Sequence, residues 1–382
     1  MLSDLIEGSL ATLADLAREH HKAVWEVGFS GGKDSTLLLH LLVEFLEDRV
    51  GKPGARLPKA IYVVYEDTLL ELPPIRRYAH KVLADLAAYS RELLGGLVKT
   101  VIVRPSEGED FFSMMIDRGY PAPHYRFRWC VRVLKVKPMR SFLSELSARG
   151  KVVMLTGIRA DESYFRSRVI RRRAGRRGRW LLKVAPLLAW REEQVFAFLR
   201  QAKQPWNSHD YSLLLRIYGQ PGREEGGRGV RYGCWACTVV RREKALYRLE
   251  EAGLCPRAHV LAEAKEALRS ISRQDGLRIK RRGKWRLGRL NEKGRLAVAS
   301  VLAYVLAKAP EGLSAYLEWP ELRARLARWL RWLVERGDGV GDGLLADAHL
   351  AREALTLLEP DLNGSPRGSI IKRICSFVTR GL

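Results

Sequence analysis

The 382-residue chain carries 67 Lys and Arg against 43 Asp and Glu, a formal net charge of +24, which points to a polyanionic partner, nucleic acid ahead of an anionic membrane. No stretch reaches the ~18 uncharged apolar residues of a membrane span, and the opening MLSDLIEGSL lacks the basic start of a signal peptide. Its five cysteines, Cys130, Cys234, Cys237, Cys255 and Cys375, do not form the even framework of a secreted domain. The expectation is a soluble cytoplasmic protein with reduced thiols or metal ligands and no membrane contact.

Taken in order, the chain opens with an amphipathic helix over Leu5 to His20. An apolar strand follows over Ala23 to Phe29, broken by Ser30-Gly31-Gly32 before helical spacing resumes over Leu37 to Phe45. The pattern then alternates: a strand over Ala60 to Tyr65, a helix over Pro74 to Leu93, a strand over Val98 to Val103, a helix over Lys137 to Arg149 and a strand over Val152 to Thr156. Strands separated by long helices predict an α/β fold with a doubly wound parallel sheet, whose ligands bind beyond the carboxyl ends of the strands.

The run RSRVIRRRAGRRGR from Arg166 to Arg179 has too much like charge to fold alone and reads as an arm over a surface. A turn and helix over Leu187 to Arg200 and a glycine-rich loop over Gly219 to Gly233 come next. A second basic stretch, Arg278 to Arg295, alternates Ile279, Trp285, Leu287 and Leu290 with Arg and Lys, the pattern of a twisted hairpin. Leu322, Leu326, Trp329, Leu330 and Leu333 make one helical stripe. These shifts place a boundary near residue 256, giving a catalytic region over 1–255 and a basic, mainly helical region over 256–382.

Chemistry concentrates first at Ser30-Gly31-Gly32-Lys33-Asp34-Ser35. Between a strand and a helix, glycines let backbone N–H groups turn toward a phosphate, the helix N-terminus adds positive potential and Lys33 supplies a cation. The spacing is not that of a Walker A loop. Asp67, at a strand's carboxyl end, could bind an adenosine ribose or Mg²⁺, and Arg159 and Arg166 could brace an α-phosphate or a pyrophosphate leaving group. Cys234 and Cys237 form a CxxC pair which, with Cys130 and Cys255, makes a thiol set suited to a tetrahedral sulfur site; iron–sulfur, zinc and a redox pair all fit it. Cys375, among Ile371, Ile374, Phe377 and Val378, reads as a small buried hydrophobe. The arginines of the basic run would contact phosphates, with Trp180 and Trp285 stacking on bases.

These residues resemble the PP-loop ATP pyrophosphatases, and more closely the branch holding phosphoadenosine phosphosulfate reductase and the DndC family of DNA phosphorothioation proteins. Tyr65-Glu66-Asp67-Thr68-Leu69-Leu70-Glu71-Leu72-Pro73 looks like the segment that closes over the nucleotide in that branch. Arg128-Trp129-Cys130 with Leu134-Lys135 and Pro138 is similar to its RWC segment, although Val131 stands where Thr is usual. Gly157-Ile158-Arg159-Ala160-Asp161-Glu162-Ser163 with Arg166 is similar to its G.R..ES..R signature, and Gly233-Cys234-Trp235-Ala236-Cys237-Thr238-Val239-Val240 is closest to DndC.

The resemblance implies ATP and Mg²⁺ held by Ser30 to Ser35, Asp67, Thr68, Gly157, Glu162 and Ser163, with Lys33, Asp34, Arg159 and Arg166 as catalytic residues. It also implies a 4Fe-4S cluster on the four cysteines, with zinc as the alternative. The activity it implies is adenylation of a nucleic-acid oxygen for replacement by sulfur, DNA favoured over tRNA, with a cysteine desulfurase as sulfur donor and other DNA-modification proteins as partners. tRNA thiolation is the second reading. A sulfonucleotide reductase would carry its nucleophilic Cys in an ECGxH-like tail, which Ile374-Cys375-Ser376-Phe377 does not match. A non-catalytic ATP-dependent nucleic-acid binder would release no pyrophosphate.

Overall fold

Parallel strands covered on both faces read as near-continuous apolar runs, because neither side meets water. Val24–Phe29 (β1) and Ala60–Glu66 (β2) are of this kind: both are almost wholly buried. The structure, a computed structural model, describes residues 2–162, 180–219, 232–240, 244–280, 287–336 and 348–358. They fall into two units, one from Met1–Asp67, Ile75–Val103 and Lys137–Val230, the other from Thr68–Pro74, Arg104–Val136 and Arg231–Leu382.

The first unit holds a five-stranded parallel sheet of order β3-β2-β1-β4-β5, adding Val98–Val103 (β3), Val152–Leu155 (β4) and Leu181–Val184 (β5) to β1 and β2. Among the described residues its helices are Leu2–His20 (α1), Lys33–Glu47 (α2), Pro73–Leu93 (α3), Lys137–Ser147 (α4), Glu192–Gln201 (α5) and Ser212–Tyr218 (α6). Side-chain alternation assigns each face of the sheet its partners. Trp25, Val27 and Phe29 join a core with Leu37, Leu38 and Leu41 of α2 and Val82 and Leu86 of α3. Val24, Tyr62, Val64, Val152 and Met154 pack on the other face with Leu143 and Leu146 of α4.

Strand order sets where the sheet can bind a ligand. The chain winds from β1 through β2 to β3 on one side, then returns to place β4 and β5 on the other, so the loops after β1 and β4 diverge at a topological switch point. The sequence pattern predicts four of these strands and places them within a residue or two. It misses β5, a four-residue edge strand with exposed Lys183 that directly follows the basic run.

The second unit is mainly helical, with Ala245–Glu251 (α7), Ala258–Ile271 (α8), Glu292–Lys308 (α9), Ser314–Glu318 (α10), Pro320–Arg336 (α11) and Ala348–Thr356 (α12). Two π-helical segments, Ser113–Asp117 and Val131–Val136, lie in its earlier stretch. Buried Asp110 ties that stretch to the later helices, accepting from the Tyr316 hydroxyl at 2.6 Å and pairing with Arg325 at 3.1 Å. The stripe Leu322, Leu326, Trp329, Leu330 and Leu333 is buried along α11, as its spacing predicts. The basic hairpin appears as antiparallel Arg278–Lys280 (β6) and Leu287–Leu290 (β7). Trp285, Cys375, Ser163, Arg166, the rest of the basic run to Arg179 and most of the Gly219 to Gly233 loop lie outside the described residues, as does the side chain of Glu162.

Candidate functional site: a phosphate loop at the switch point and a thiol group

The glycines of the loop after β1 are required by space. Gly31 has φ +70°, and a Cβ there would meet the Ala79 side chain at 3.0 Å and the Ile75 carbonyl at 3.3 Å. A Cβ at Gly32 would lie 2.9 Å from the Tyr218 hydroxyl. Ser35 locks the turn: its hydroxyl accepts from Ser30 N–H at 3.2 Å and donates to Gly32 O at 3.0 Å. At the head of α2, Gly32 offers no side-chain cap, and an N-terminus without one, at the positive end of the helix dipole, is suited to an anion.

Gly157 brings the β4 loop to this turn. A Cβ there would stand 2.9 Å from Asp34 O and 3.1 Å from Ser35 N, so only glycine permits the approach. Two residues on, Arg159 is 3% exposed and its Nε lies 2.7 Å from Asp34 Oδ1, while its Nη1 pairs with Asp161 at 3.1 Å. Lys33 Nζ lies 3.0 Å from Asp34 Oδ2 and 3.2 Å from Glu192 Oε1, with the Tyr218 ring 5.1 Å away. The structure thus joins Ser30, Gly31, Gly32, Lys33, Asp34, Ser35, Gly157 and Arg159, and adds Glu192, which sequence reasoning misses. A carboxylate in the first turn of a helix is ordinary, and only the strand order brings α5 here.

Asp67, directly after β2, is fully buried, facing Arg76 at 3.2 Å and His80 at 3.6 Å. That pair fixes the carboxylate beneath α3, since a buried charge needs its partner. A second buried carboxyl has no such partner. Glu26 of β1 is 1% exposed, and neither carboxylate oxygen has a hydrogen-bond partner among the described residues. Burial, reinforced by the charge of Glu66 and opposed by Lys183, pushes its pKa up to about 8.

The thiols belong to the second unit. Glu71 bridges Cys234 in antiparallel fashion, and Trp235 N–H donates to Leu70 O at 2.9 Å. Thr68, fully buried, donates to Glu71 at 2.6 Å and lies 4.0 Å from the Cys234 sulfur. The Trp235 ring N–H donates to Gly312 O at 2.8 Å, and the Thr238 hydroxyl donates to Pro123 O, anchoring both sides of the CxxC turn. Burial first, then the Glu71 carboxylate, raises the Cys234 thiol to about 12, with Lys135 opposing and Cys237 and Cys130 adding. Cys130 is raised by burial and then by Cys237. Cys130, Cys234 and Cys237 therefore lie near one another. Cys255 is buried just before α8, its N–H donating to Leu249 O at 3.1 Å. Among the described residues, no group of three or more His, Cys, Asp or Glu is arranged to hold a metal ion. Burial opposes ionisation of these thiols, and a thiol so placed gives up its proton readily only beside a cation.

A parallel sheet flanked by helices, with a glycine-lysine loop at its switch point, defines an α/β domain. Residues 25–239 match the phosphoadenosine phosphosulfate reductase domain, and the chain belongs to that family. An uncharacterized protein of Methanocaldococcus jannaschii is 28% identical over 214 residues, 56% of this chain and 36% of that protein. The adenosine 5'-phosphosulfate reductase of Allochromatium vinosum is 31% identical over 137 residues, 35% of this chain and 51% of that enzyme. The chain thus spans between about a third and a half of the length of these curated relatives. Among solved structures, a phosphoadenylyl-sulfate reductase from Candida auris in its phosphate complex aligns with TM-score 0.32 at 16% identity, over 54% of this chain and 83% of that one. The U34-tRNA thiolase NcsA from Methanococcus maripaludis, with its 4Fe-4S cluster, aligns with TM-score 0.33 at 14% identity, over 70% and 78%. No helix among the described residues is long and apolar enough to cross a membrane.

Proposed function

We propose that the chain is an ATP pyrophosphatase that adenylates an oxygen of a nucleic acid, most specifically a DNA backbone phosphate, for replacement by sulfur. The observation that carries the reading is the convergence of Lys33, Asp34 and Arg159 on an uncapped helix N-terminus at the switch point. In the reaction the substrate oxygen attacks the α-phosphorus of ATP, a new O–P bond forms and the bond to the β-phosphate bridging oxygen breaks. Pyrophosphate leaves, and a sulfur donor then displaces AMP from the activated centre. Lys33 would neutralise the phosphate chain, and Arg159, held by Asp34 and Asp161, would face charge developing at the α-phosphate. Asp34 positions these two cations.

Membership in a family named for an adenylyl-linked sulfur compound supports the sulfur chemistry, and the net charge of +24 supports a nucleic-acid substrate. DNA is favoured by the likeness of Gly233 to Val240 to the DndC family. Cys130, Cys234 and Cys237, with Cys255, would hold a four-iron cluster or zinc, and a cysteine desulfurase would supply the sulfur. A bound cluster would offer a soft site for sulfide. Incubation of anaerobically prepared protein with ATP, Mg²⁺, desulfurase, cysteine and either DNA or tRNA tests the reading, with nuclease digestion and mass spectrometry as readout. AMP, pyrophosphate and a phosphorothioate dinucleotide are expected, and all three vanish in Lys33→Ala. ADP and phosphate as the only nucleotide products refute the pyrophosphatase; a thiolated base from tRNA alone refutes the DNA assignment.

A further inference from the structure

From Arg118 to Val136 the chain carries Arg118, Arg126, Arg128, Arg132 and Lys135 and no acidic residue. A tight turn stands in the middle of this stretch, with Phe127 N–H donating to His124 O at 2.8 Å, so that Tyr125 and Arg126 occupy its tip. Tyr125 is 66% exposed and Phe127 39%. Exposed aromatic rings set among basic side chains combine the two elements of a single-strand binding surface, ring faces and positive charge. The rings are also held in place. Phe127 lies parallel to Tyr120, with centroids 6.2 Å apart and planes at 10°. The Arg289 guanidinium of β7 covers Tyr120 at 5.6 Å, and Arg126 lies 5.3 Å from the Tyr125 centroid while its Nε donates to the Tyr125 hydroxyl at 2.9 Å.

The ribbon is fixed to this turn through Gly119. Leu290 N–H donates to Gly119 O at 2.6 Å, and a Cβ at Gly119, where φ is +68°, would lie 2.9 Å from Leu290 O. A glycine is therefore what lets β7 bring Arg289 onto Tyr120. The result is an arrangement of ring faces and guanidinium groups with no carboxylate in the turn itself.

We propose that Tyr125, Arg126, Phe127, Arg128 and Arg289 form a stacking platform for unpaired nucleotides, so that the second unit engages nucleic acid in single-stranded or locally opened form. The inference rests on the reading of the substrate as a nucleic acid and adds its strand state. The chemistry is specific to unpaired bases: a base must expose its π-face to lie on Phe127 or Tyr125, whereas within a closed duplex those faces are stacked on neighbouring bases and only phosphates and groove edges are offered.

The test is fluorescence anisotropy with the full chain, a labelled 20-nucleotide single strand and the matching duplex, across a salt series. Phe127→Ala and Tyr125→Ala are each expected to weaken single-strand binding about tenfold and duplex binding by under about twofold, with the slope against salt unchanged. Phe127→Leu keeps apolar bulk without a ring face and should lose the same single-strand affinity, while Phe127→Tyr should bind as the parent does. Unchanged thermal midpoints confirm that the turn has not unfolded. Single-strand affinity that ignores all three truncations overturns the platform while leaving a nucleic-acid substrate standing, and equal losses on both strand forms overturn it as well. A parent protein that binds neither strand form overturns the substrate reading itself, and the platform with it.

Discussion

Glu192 occupies Lys33 in the structure, and a nucleotide phosphate would have to displace it. Lys33 Nζ to Glu192 Oε1 is 3.2 Å, with the lysine side chain 10% and the glutamate side chain 30% exposed. Coulomb's law at that separation gives about 1.3 kcal/mol in bulk water and about 5 kcal/mol at an effective dielectric of 20. Water reaches the glutamate, and measured values for exposed pairs are at most ~1 kcal/mol, so ~1 kcal/mol is the working figure. Glu192→Gln removes the competing charge and keeps the shape. Its expected effect is a fall of about fivefold in the KM for ATP with kcat unchanged, because the released lysine strengthens ground state and transition state alike. Pyrophosphate release against ATP concentration measures this, and equilibrium binding of a non-hydrolysable ATP analogue should tighten by the same factor. The substitution also removes a favourable charge at the head of α5, at a cost of ~0.3–1 kcal/mol in stability. A rise in KM, or a kcat lowered about tenfold or more, would show that Glu192 works with the nucleotide, and the competition would be refuted.

Glu26 predicts a pH dependence. Its folded pKa of about 8 lies above the unfolded value of 4.5, so the stability it permits is full below pH 4.5 and is lost as pH rises through 8. The ceiling on that loss is about 5 kcal/mol. Glu26→Gln should have a urea midpoint near that of the parent at pH 5 and well above it at pH 8.5; a difference that does not grow with pH would mean the carboxyl is already solvated or paired. For the thiols, protein purified without oxygen should carry iron and acid-labile sulfide, and Cys→Ser at Cys130, Cys234 or Cys237 should bleach it. Cys375→Ser should leave the absorbance unchanged, and colourless parent protein with one tightly held zinc would refute the cluster.

The phosphate loop is legible in the sequence because its requirements are local: an apolar strand, two glycines, a lysine and a helix follow one another without interruption. Of the partners that complete it, Gly157 and Arg159 are named from their motif, whereas Glu192 is not. Arg159 carries its meaning in the strand order, which seats β4 beside β1 although more than a hundred residues separate them, and Glu192 reaches Lys33 from a helix beyond the basic run. Asp67 is a strand-end acid by position, yet its partners, buried Arg76 and part-exposed His80, come from the following helix across an irregular segment. Glu26 is hidden for the opposite reason: one carboxylate in an otherwise apolar strand reads as an ordinary solvent-facing position, and only a sheet covered on both faces makes it costly. The CxxC pair is plain from spacing, whereas the coupling of Cys130 to it depends on folding across about a hundred residues.

The interleaving of the two units along the chain bears on how the protein is made. The first unit needs residues up to Val230 before its set is complete, and the second places its early segments, Thr68–Pro74 and Arg104–Val136, in the chain long before Arg231–Leu382 exists. Asp110 must wait for Tyr316, 206 residues further on. During synthesis Phe111, Phe112, Met114 and Met115, all buried in the finished protein, stand open while most of the polypeptide has yet to leave the ribosome. Such a nascent chain presents a sticky apolar segment for many seconds at ordinary elongation rates. Heterologous production should therefore respond to co-expressed holdase chaperones and slower growth more than to changes in the purified protein's buffer. A split of the gene anywhere between Pro74 and Lys137 would divide both units, whereas a split after Val230 leaves the first unit whole.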